Sequence, residues 1–454
     1  ISGQSYTEIN TGYKGKYYYR VRAVQKDEND EIINSSGYSR QMYGRVADAD
    51  EYLKRLGNRE YWSYASMGLP QGDAKIEKSQ GNFTYSQTDA EIPNEGVDVS
   101  FERTYNSQSS AMSSLGMGWS SSFDMEVLAI ADTGGESDDS LVLRYGDGTL
   151  YQFTKTGDAG ASSGSTETSG TEDEGSMDAE AAEDTETAEY ISSLGKYVTL
   201  TKTHSEEEVS LPAVKKGVAS ADDKESVTIT SDYTVEDKDG NEYRFNSFGR
   251  LVYITEQNGN FAILEYAADS GLLSRVRTNR NIAMEIEYND SDDGKDPFTI
   301  KSVSLPDGSS YVYDYAGSAD RENVRLTSVT RRAAGNGGEI TYRYEYDSRQ
   351  EPKLDAIKDG MGNRYTVSYD SRGRADEMAD PDGKKQKLTY SSDSSETVTE
   401  TVIKKGLLFG TKTISTETDR FDGWFGNCVE SIDAAGNRTG YTYRDNLLVM
   451  TETD

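Results

Sequence analysis

Along the second half of the chain, short runs of alternating apolar and polar residues are closed by a tyrosine and separated by glycine turns. One copy runs Asp359-Gly360-Met361-Gly362-Asn363, continues from Arg364 to Tyr369, and turns again at Asp370-Ser371-Arg372-Gly373-Arg374. A second opens at Asp380-Pro381-Asp382-Gly383 and ends at Tyr390; a third runs from Asp433-Ala434-Ala435-Gly436-Asn437 to Tyr443. Alternation of this kind marks half-buried strands. The dipeptides Asp239-Gly240, Asn258-Gly259, Asp307-Gly308, Gly362-Asn363, Asp382-Gly383 and Gly436-Asn437 supply the positive φ of tight two-residue hairpins. Between them the strands end at Tyr266, Tyr288, Tyr315, Tyr346, Tyr369 and Tyr390. Self-similarity at roughly 20–30 residues is the signature of a repeat architecture. From about Ser226 onward the pattern predicts consecutive hairpins laid edge to edge in one long antiparallel sheet. The tyrosine rings are expected to stack as ladders, each covering its neighbour.

The first half is less regular. Tyr13 to Val24 alternates as a half-buried strand should, and a weaker strand is expected around Ser39 to Tyr43. From Ala47 the period becomes helical: Asp48 or Asp50 can cap the start, Tyr52, Leu53 and Leu56 recur at helical spacing, and Gly57 ends the run. The cluster Tyr61, Trp62 and Tyr64 reads as rings docked on the next domain, in preference to a carbohydrate-stacking platform. Strands resume at Gly81. Between Gly157 and Tyr190 the chain becomes Ser, Thr, Gly and Ala with Asp and Glu throughout and no Lys or Arg. Such a stretch buries too little apolar surface to offset its ordering entropy, so an acidic, disordered insert over 157–190 is expected, between the strands at Tyr151–Phe153 and Tyr197–Leu200.

Composition narrows the function. The chain has 454 residues, room for roughly three domains. Tyr outnumbers Phe by 32 to 11, which suits thin, half-exposed sheets where a ring packs while its hydroxyl stays wet. A formal net charge of -32 argues against nucleic acid as a partner and against adhesion to anionic membranes, and no apolar run approaches the roughly 20 residues of a membrane span. Cys428 and His204 are the single members of their types, which excludes an internal disulfide, a Cys-based metal site and a zinc triad. The two lie in different modules, with nothing to mark them as a nucleophile and its base. Carboxylates abound, yet the aspartates before the glycine turns recur in every copy, as a turn role requires and a unique catalytic role does not. The insert lacks a calcium loop, and no nucleophile elbow, P-loop or dinucleotide fingerprint occurs. The chain is therefore expected to hold no catalytic, cofactor-binding or metal-binding residues.

Two stretches resemble known families. Tyr17-Tyr18-Tyr19-Arg20-Val21-Arg22-Ala23-Val24 and the Gly37 to Tyr43 region resemble the closing strands of a fibronectin type III domain, over residues 1–45. Gly81-Asn82-Phe83, Arg103-Thr104-Tyr105-Asn106-Ser107 and Gly116-Met117-Gly118-Trp119, in that order, resemble the N-terminal module of Rhs/YD-repeat proteins. Together with the tyrosine repeats this resemblance covers about 76–454. Gly116 and Gly118 allow turns that a Cβ would obstruct and set the Trp119 ring against the next strand as a packed core residue. The domains expected are then 1–45 type III-like, 46–75 a linker with a short helix, 76–225 the Rhs N-terminal module with its insert, and 226–454 a YD-repeat β-shell segment. The resemblance implies an all-β wall that curves into a shell, secreted or at the cell surface of a bacterium, enclosing a C-terminal toxin or effector of the same polypeptide as cargo. The family's aspartyl self-cleavage motif does not occur here, and the chain starts and stops within the pattern, so a longer parent is expected. The alternative is a surface adhesin whose Tyr-rich sheet binds a cell-wall glycan or a protein.

Overall fold

The computed structural model describes residues 55–93, 99–129, 140–156, 187–192, 198–215, 218–290, 295–317, 324–335, 337–391, 397–405, 411–422, 426–444 and 447–453, and four short strands between 16 and 45. The protein is all-β, and the described residues contain no helix. One sheet dominates: 24 strands, from Glu126–Ala129 to Leu447–Thr453, follow one another in sequence order, each antiparallel to the last. A second sheet of five strands runs in the spatial order Trp119–Ser121, Val99–Asn106, Phe83–Ile92, Gly72–Glu77, Tyr64–Leu69. A single hydrophobic core joins them, with Phe83, Tyr85, Phe101 and Trp119 of the small sheet packed against Val303, Tyr313, Tyr344 and Met378 of the large one. The Lys16–Tyr19 strand pairs with Met42–Arg45, and Val24–Lys26 with Ile32–Ser35; the rest of 1–45, including 20–23 and 37–41 of the stretches that carry the type III resemblance, lies outside the described residues.

Three expectations change. The start of the expected helix, 46–54, also lies outside the described residues, and from Arg55 to Ser63 the chain is irregular rather than helical. Its backbone N–H groups serve the next module instead: Gly57, at φ 79°, donates to Asn106 Oδ1 at 2.7 Å, and Asn58 to Asp147 Oδ2 at 2.9 Å. Tyr64–Leu69 and Gly72–Glu77, read as the end of a linker, are strands of the small sheet. The acidic segment ends before 190, because Ala188–Ser192 is a strand between Leu150–Lys155 and Thr199–Lys215, with Ala188 and Tyr190 buried. Alternation over only five residues beside a long polar run hid it. The remainder of the insert, 157–186, lies outside the described residues.

The turns are one residue longer than the dipeptides suggested. Asp359 N–H donates to the Asn363 carbonyl at 3.0 Å and Gly362 N–H to the Asp359 carbonyl at 3.0 Å, enclosing three loop residues with Gly362 at φ 87°. This is a type I turn closed by a left-handed glycine. The aspartate fixes it: Asp359 Oδ1 accepts the N–H groups of Met361 and Asn363, and Oδ2 accepts from Asn363 Nδ2. Asp237 and Asp433 repeat the same three bonds, and in the Asp370 turn Arg374 Nε replaces the amide. Each motif is an Asp-x-x-Gly-Asn/Arg frame.

The tyrosines form a ladder, though not of stacked rings. At the end of five successive repeats the register slips by one residue, between Glu265 and Tyr266, Glu287 and Tyr288, Asp314 and Tyr315, Glu345 and Tyr346, and Ser368 and Tyr369, whereas Tyr390 pairs with Val398 without a slip. The tyrosine thereby opposes a residue at the start of the following strand (Tyr346 opposite Leu354, Tyr369 opposite Ala375). A β-bulge leaves backbone groups of the ladder unpaired. The tyrosine of the next repeat supplies the partner: Tyr266 Oη donates to the Leu251 carbonyl at 2.7 Å, Tyr315 to Ile300 at 2.8 Å, Tyr346 to Leu326 at 2.8 Å, Tyr369 to Leu354 at 2.7 Å and Tyr390 to Ala375 at 2.6 Å. Spacing revealed that the rings repeat; the hydroxyl as the contact atom follows from the bulge, which spacing does not show.

Two measurements follow. Tyr369→Phe should lower stability by about 1–3 kcal/mol, since a buried carbonyl loses its donor, and Tyr369→Ala by about 3–5 kcal/mol; urea denaturation of the two variants separates hydroxyl from ring. The Asp433 carboxyl is held below the ordinary aspartate range by the Asn437 amide and the surrounding N–H groups. A lowered folded value means that the turn's contribution is complete above about pH 4 and fades as pH falls through the folded pKa. Carboxyl NMR should show Asp433 titrating below a free aspartate, and Asn437→Ala should move it upward.

Candidate functional site

The feature that most departs from a plain β-core lies between the two sheets. In the strand Phe83–Ile92, Asp89 falls in phase with the inward Tyr85 and Gln87, and the bulge between Thr88 and Ala90 brings Ala90 to the core beside it. There Asp89 meets Arg103, fully buried on the neighbouring strand: Arg103 Nη2 donates to Asp89 Oδ1 at 2.9 Å and Nε to Oδ2. Tyr313 of the large sheet donates to Asp89 Oδ2 at 2.8 Å. The Arg103 guanidinium carbon lies 5.2 Å from the centre of the Trp119 ring and 5.3 Å from that of Tyr344, within cation–π range. Gln87 Oε1 accepts from Tyr85 at 2.8 Å and from Tyr344 at 3.3 Å, and Trp119 Nε1 donates to Tyr346 Oη at 2.9 Å. Burial pushes the Tyr344 hydroxyl up to about 12, so it stays protonated as a donor. The network spans both sheets, and hydrogen bonds of fixed direction to a buried ion pair specify position more narrowly than apolar contact does, although Arg103 Nη1 is left without a hydrogen-bond partner.

The small sheet and its connecting turns also meet backbone groups beside the bulges. Ile300 N–H donates to the Ser114 carbonyl at 2.8 Å, Leu354 N–H to Tyr105 Oη at 3.1 Å, and Ala375 N–H to the Gly81 carbonyl at 2.9 Å. Ile300, Leu354 and Ala375 are the residues whose carbonyls receive the tyrosine hydroxyls. Further on, Lys78 is buried with its ammonium 2.8 Å from both Asp419 Oδ2 and Glu400 Oε2, on strands near the far end of the array. Burial works against that charge, but the two carboxylates outweigh it and hold the Lys78 pKa above the ordinary lysine value. The N-terminal module is thus a cap seated along the bulged side of the array, and this seat is the candidate functional surface.

The residues singled out from the sequence fall as follows. Trp119 is 2% exposed and packed in the core, with Gly116 and Gly118 at φ 90° and 78°. Trp62 is buried, its ring 4.8 Å from the Arg59 guanidinium, which also covers the Tyr151 ring at 4.5 Å. The aromatic cluster is docked. Cys428 is a buried thiol, pushed up to about 12 by burial and bonded to the Glu430 carbonyl. His204 Nδ1 lies 2.9 Å from Asp232 Oδ1 on the long hairpin of Thr199–Lys215 and Val218–Glu236, so the structure does not bring the two together. Among the described residues no group of His, Cys, Asp and Glu is arranged to hold a metal ion, and no helix is long and apolar enough to cross a membrane. Sequence reasoning passed over Asp89, Arg103 and Lys78. The available signal was a charge standing where strand alternation calls for an apolar residue.

Residues 74–153 match a family model described as a domain of unknown function, DUF6531; it spans the small sheet from its second strand and the first strands of the large one. No curated protein matches the sequence. Among solved structures, the chain is similar to the TcdB2-TccC3-TEV crystal structure at 10% identity and a TM-score of 0.25, covering 94% of this chain and 26% of that one. It is similar to the Photorhabdus luminescens Tc holotoxin pore at 10% identity and a TM-score of 0.19, covering 94% and 33%. A porin-like protein from Bacteroides uniformis matches at 13% identity and a TM-score of 0.18, covering 55% and 94%. The chain spans about a quarter of the length of the TcdB2-TccC3 structures.

The buried pair can be dissected. Asp89→Ala alone should destabilise by about 3–5 kcal/mol, because it leaves Arg103 charged and unpaired in the core. Combining it with Arg103→Met should recover most of that loss. A double-mutant cycle by chemical denaturation reads the coupling directly; additive effects would assign the pair no joint role.

Proposed function

We propose that this chain is a length of wall, with its cap, from a secreted bacterial shell of the Rhs/YD-repeat kind. In this reading the shell encloses a toxin or effector carried further along the same polypeptide and delivers it to other cells. The observation that carries it is the uninterrupted 24-strand sheet with a bulge at the tyrosine end of successive repeats. Open sheets beyond about ten strands curl or split, and bulges repeated on one side bend a sheet consistently. A wall of this kind needs one sealed face and a means of closing its mouth. In this reading the shared core seals the face and the N-terminal module, hydrogen-bonded along the bulged side, is the part that closes the mouth.

The segment itself is assigned no catalysis and no cofactor. Its few chemically reactive side chains are tied up, the Cys428 thiol by burial and His204 by Asp232. The aspartates that recur along it are engaged in holding turns. Nucleic acid is not a partner in this reading, given the net charge of -32.

The test uses the longer parent polypeptide. Electron microscopy should show a hollow particle, and the segment following the wall should resist a protease that digests it after denaturation. An elongated particle with that segment freely cleaved, together with binding to cell-wall glycan, would replace the shell with a surface adhesin.

A further inference from the structure

The hydroxyl rule lapses at Tyr443, near the end of the array, and once within it, at Tyr288. By position, Tyr288 should donate to the Leu273 carbonyl, as Tyr266 does to Leu251 and Tyr315 to Ile300. Its register slip is present, between Glu287 and Tyr288. Yet among the described residues the Tyr288 hydroxyl makes no such bond, and Tyr288 and Leu273 both line a cavity of about 220 Å³ at this point. The defect in the ladder and the cavity coincide.

The walls of that cavity are chemically mixed. Phe101, Phe123, Tyr266, Phe298 and Ile286 give it an aromatic and aliphatic body. Asp124, Glu126 and Asp296 bring three carboxyl groups, against Arg250 as the one cation. Arg250 is already engaged, its guanidinium bonded to the Gly271 carbonyl and lying 5.7 Å from the Tyr266 ring centre. Glu126 is paired with Arg144, and Asp296 accepts from Phe298 N–H. Asp124 is different: one oxygen accepts from Ser121 N–H at 2.7 Å, and no cation is within ion-pair distance of it among the described residues. Burial raises its pKa, with the Ser121 N–H and the more distant Arg144 charge pulling the other way, so a cation bound against it would stabilise the carboxylate.

We propose that this cavity is a binding site for a small primary ammonium on an apolar stem, with Asp124 as its counter-ion and the Tyr288 hydroxyl as a second polar contact. The volume exceeds the roughly 150 Å³ of an apolar cavity that admits benzene, so a stem of about six carbons fits. Aromatic faces favour an ammonium over a neutral or anionic head. The strongly negative chain raises the local concentration of cations further. The site stands apart from the shell reading, since it rests on the cavity alone.

The test is a ligand series on the intact chain, using hexylamine, hexanol and hexanoate as probes, followed by calorimetry and ligand-observed NMR. Hexylamine should bind saturably and about tenfold or more tighter than hexanol, with hexanoate weakest. Asp124→Asn keeps the acceptor for Ser121 and should remove the preference for the amine while leaving hexanol binding unchanged. Tyr288→Phe should weaken the amine several-fold. Equal binding of amine and alcohol, tightest binding of hexanoate, or no binding would each overturn the proposal. Amine binding that survives Asp124→Asn would also overturn it, as attraction to the acidic surface only. The comparison among ligands on the unmutated protein stands even if a variant fails to fold.

Discussion

The structure depends on how it treats the backbone groups that each repeat leaves unpaired. A register slip beside the tyrosine bends the strand, and it strands a carbonyl and an N–H where water is excluded. A buried orphan of this kind costs about 1–3 kcal/mol, so a run of repeated bulges is stable only if most of its slips are answered. The carbonyls of Leu251, Ile300, Leu326, Leu354 and Ala375 are answered from within the array, by the tyrosine one repeat later, while that of Leu273 is not answered by Tyr288. Several N–H groups are answered from outside it, by Ser114, Tyr105 and Gly81 of the cap. Curvature and capping are therefore one problem with one chemical solution.

The buried polar network follows from the same arrangement. A cap that must meet a series of N–H groups in turn needs its register set closely, and apolar contacts alone tolerate sliding. Asp89, Arg103 and Tyr313 supply that discrimination at the centre of the interface, while Lys78 anchors the far end. Phe101 against Tyr313 and Trp119 against Tyr344, with ring centres 6.1 and 5.1 Å apart, fill the space between. The polar groups set position and the rings supply most of the buried area.

Much of this was legible in the sequence, for reasons that differ by element. The array was visible because turn chemistry and alternation repeat: the aspartate before Gly362, Gly373 and Gly436 holds the same bonds each time. The core position of Trp119 was legible from the glycines flanking it. Helical spacing at Tyr52 to Leu56 misled for 55–63, because Asn106 and Asp147, some 50 to 90 positions later, take the N–H groups a helix would use. The strand Ala188–Ser192 was missed because five residues carry little periodicity next to an acidic run. The site was the least legible part. Alternation from Tyr85 and Gln87 places Asp89 inward, but its partner Tyr313, 224 positions away, leaves no mark on local pattern.

The bond between Lys78 and Asp419 joins residues 341 positions apart. At the usual ~5–20 residues per second of synthesis, the acid emerges about 20–70 s after the base. Over that interval the small sheet exists with its seat unbuilt, exposing aromatic faces and an ammonium that the finished molecule hides. The array, by contrast, closes through neighbours some 15 to 20 positions apart and can advance as it is made. Maturation is therefore vectorial: the long sheet is laid down locally, repeat after repeat, and the small sheet made first is the part that locks last.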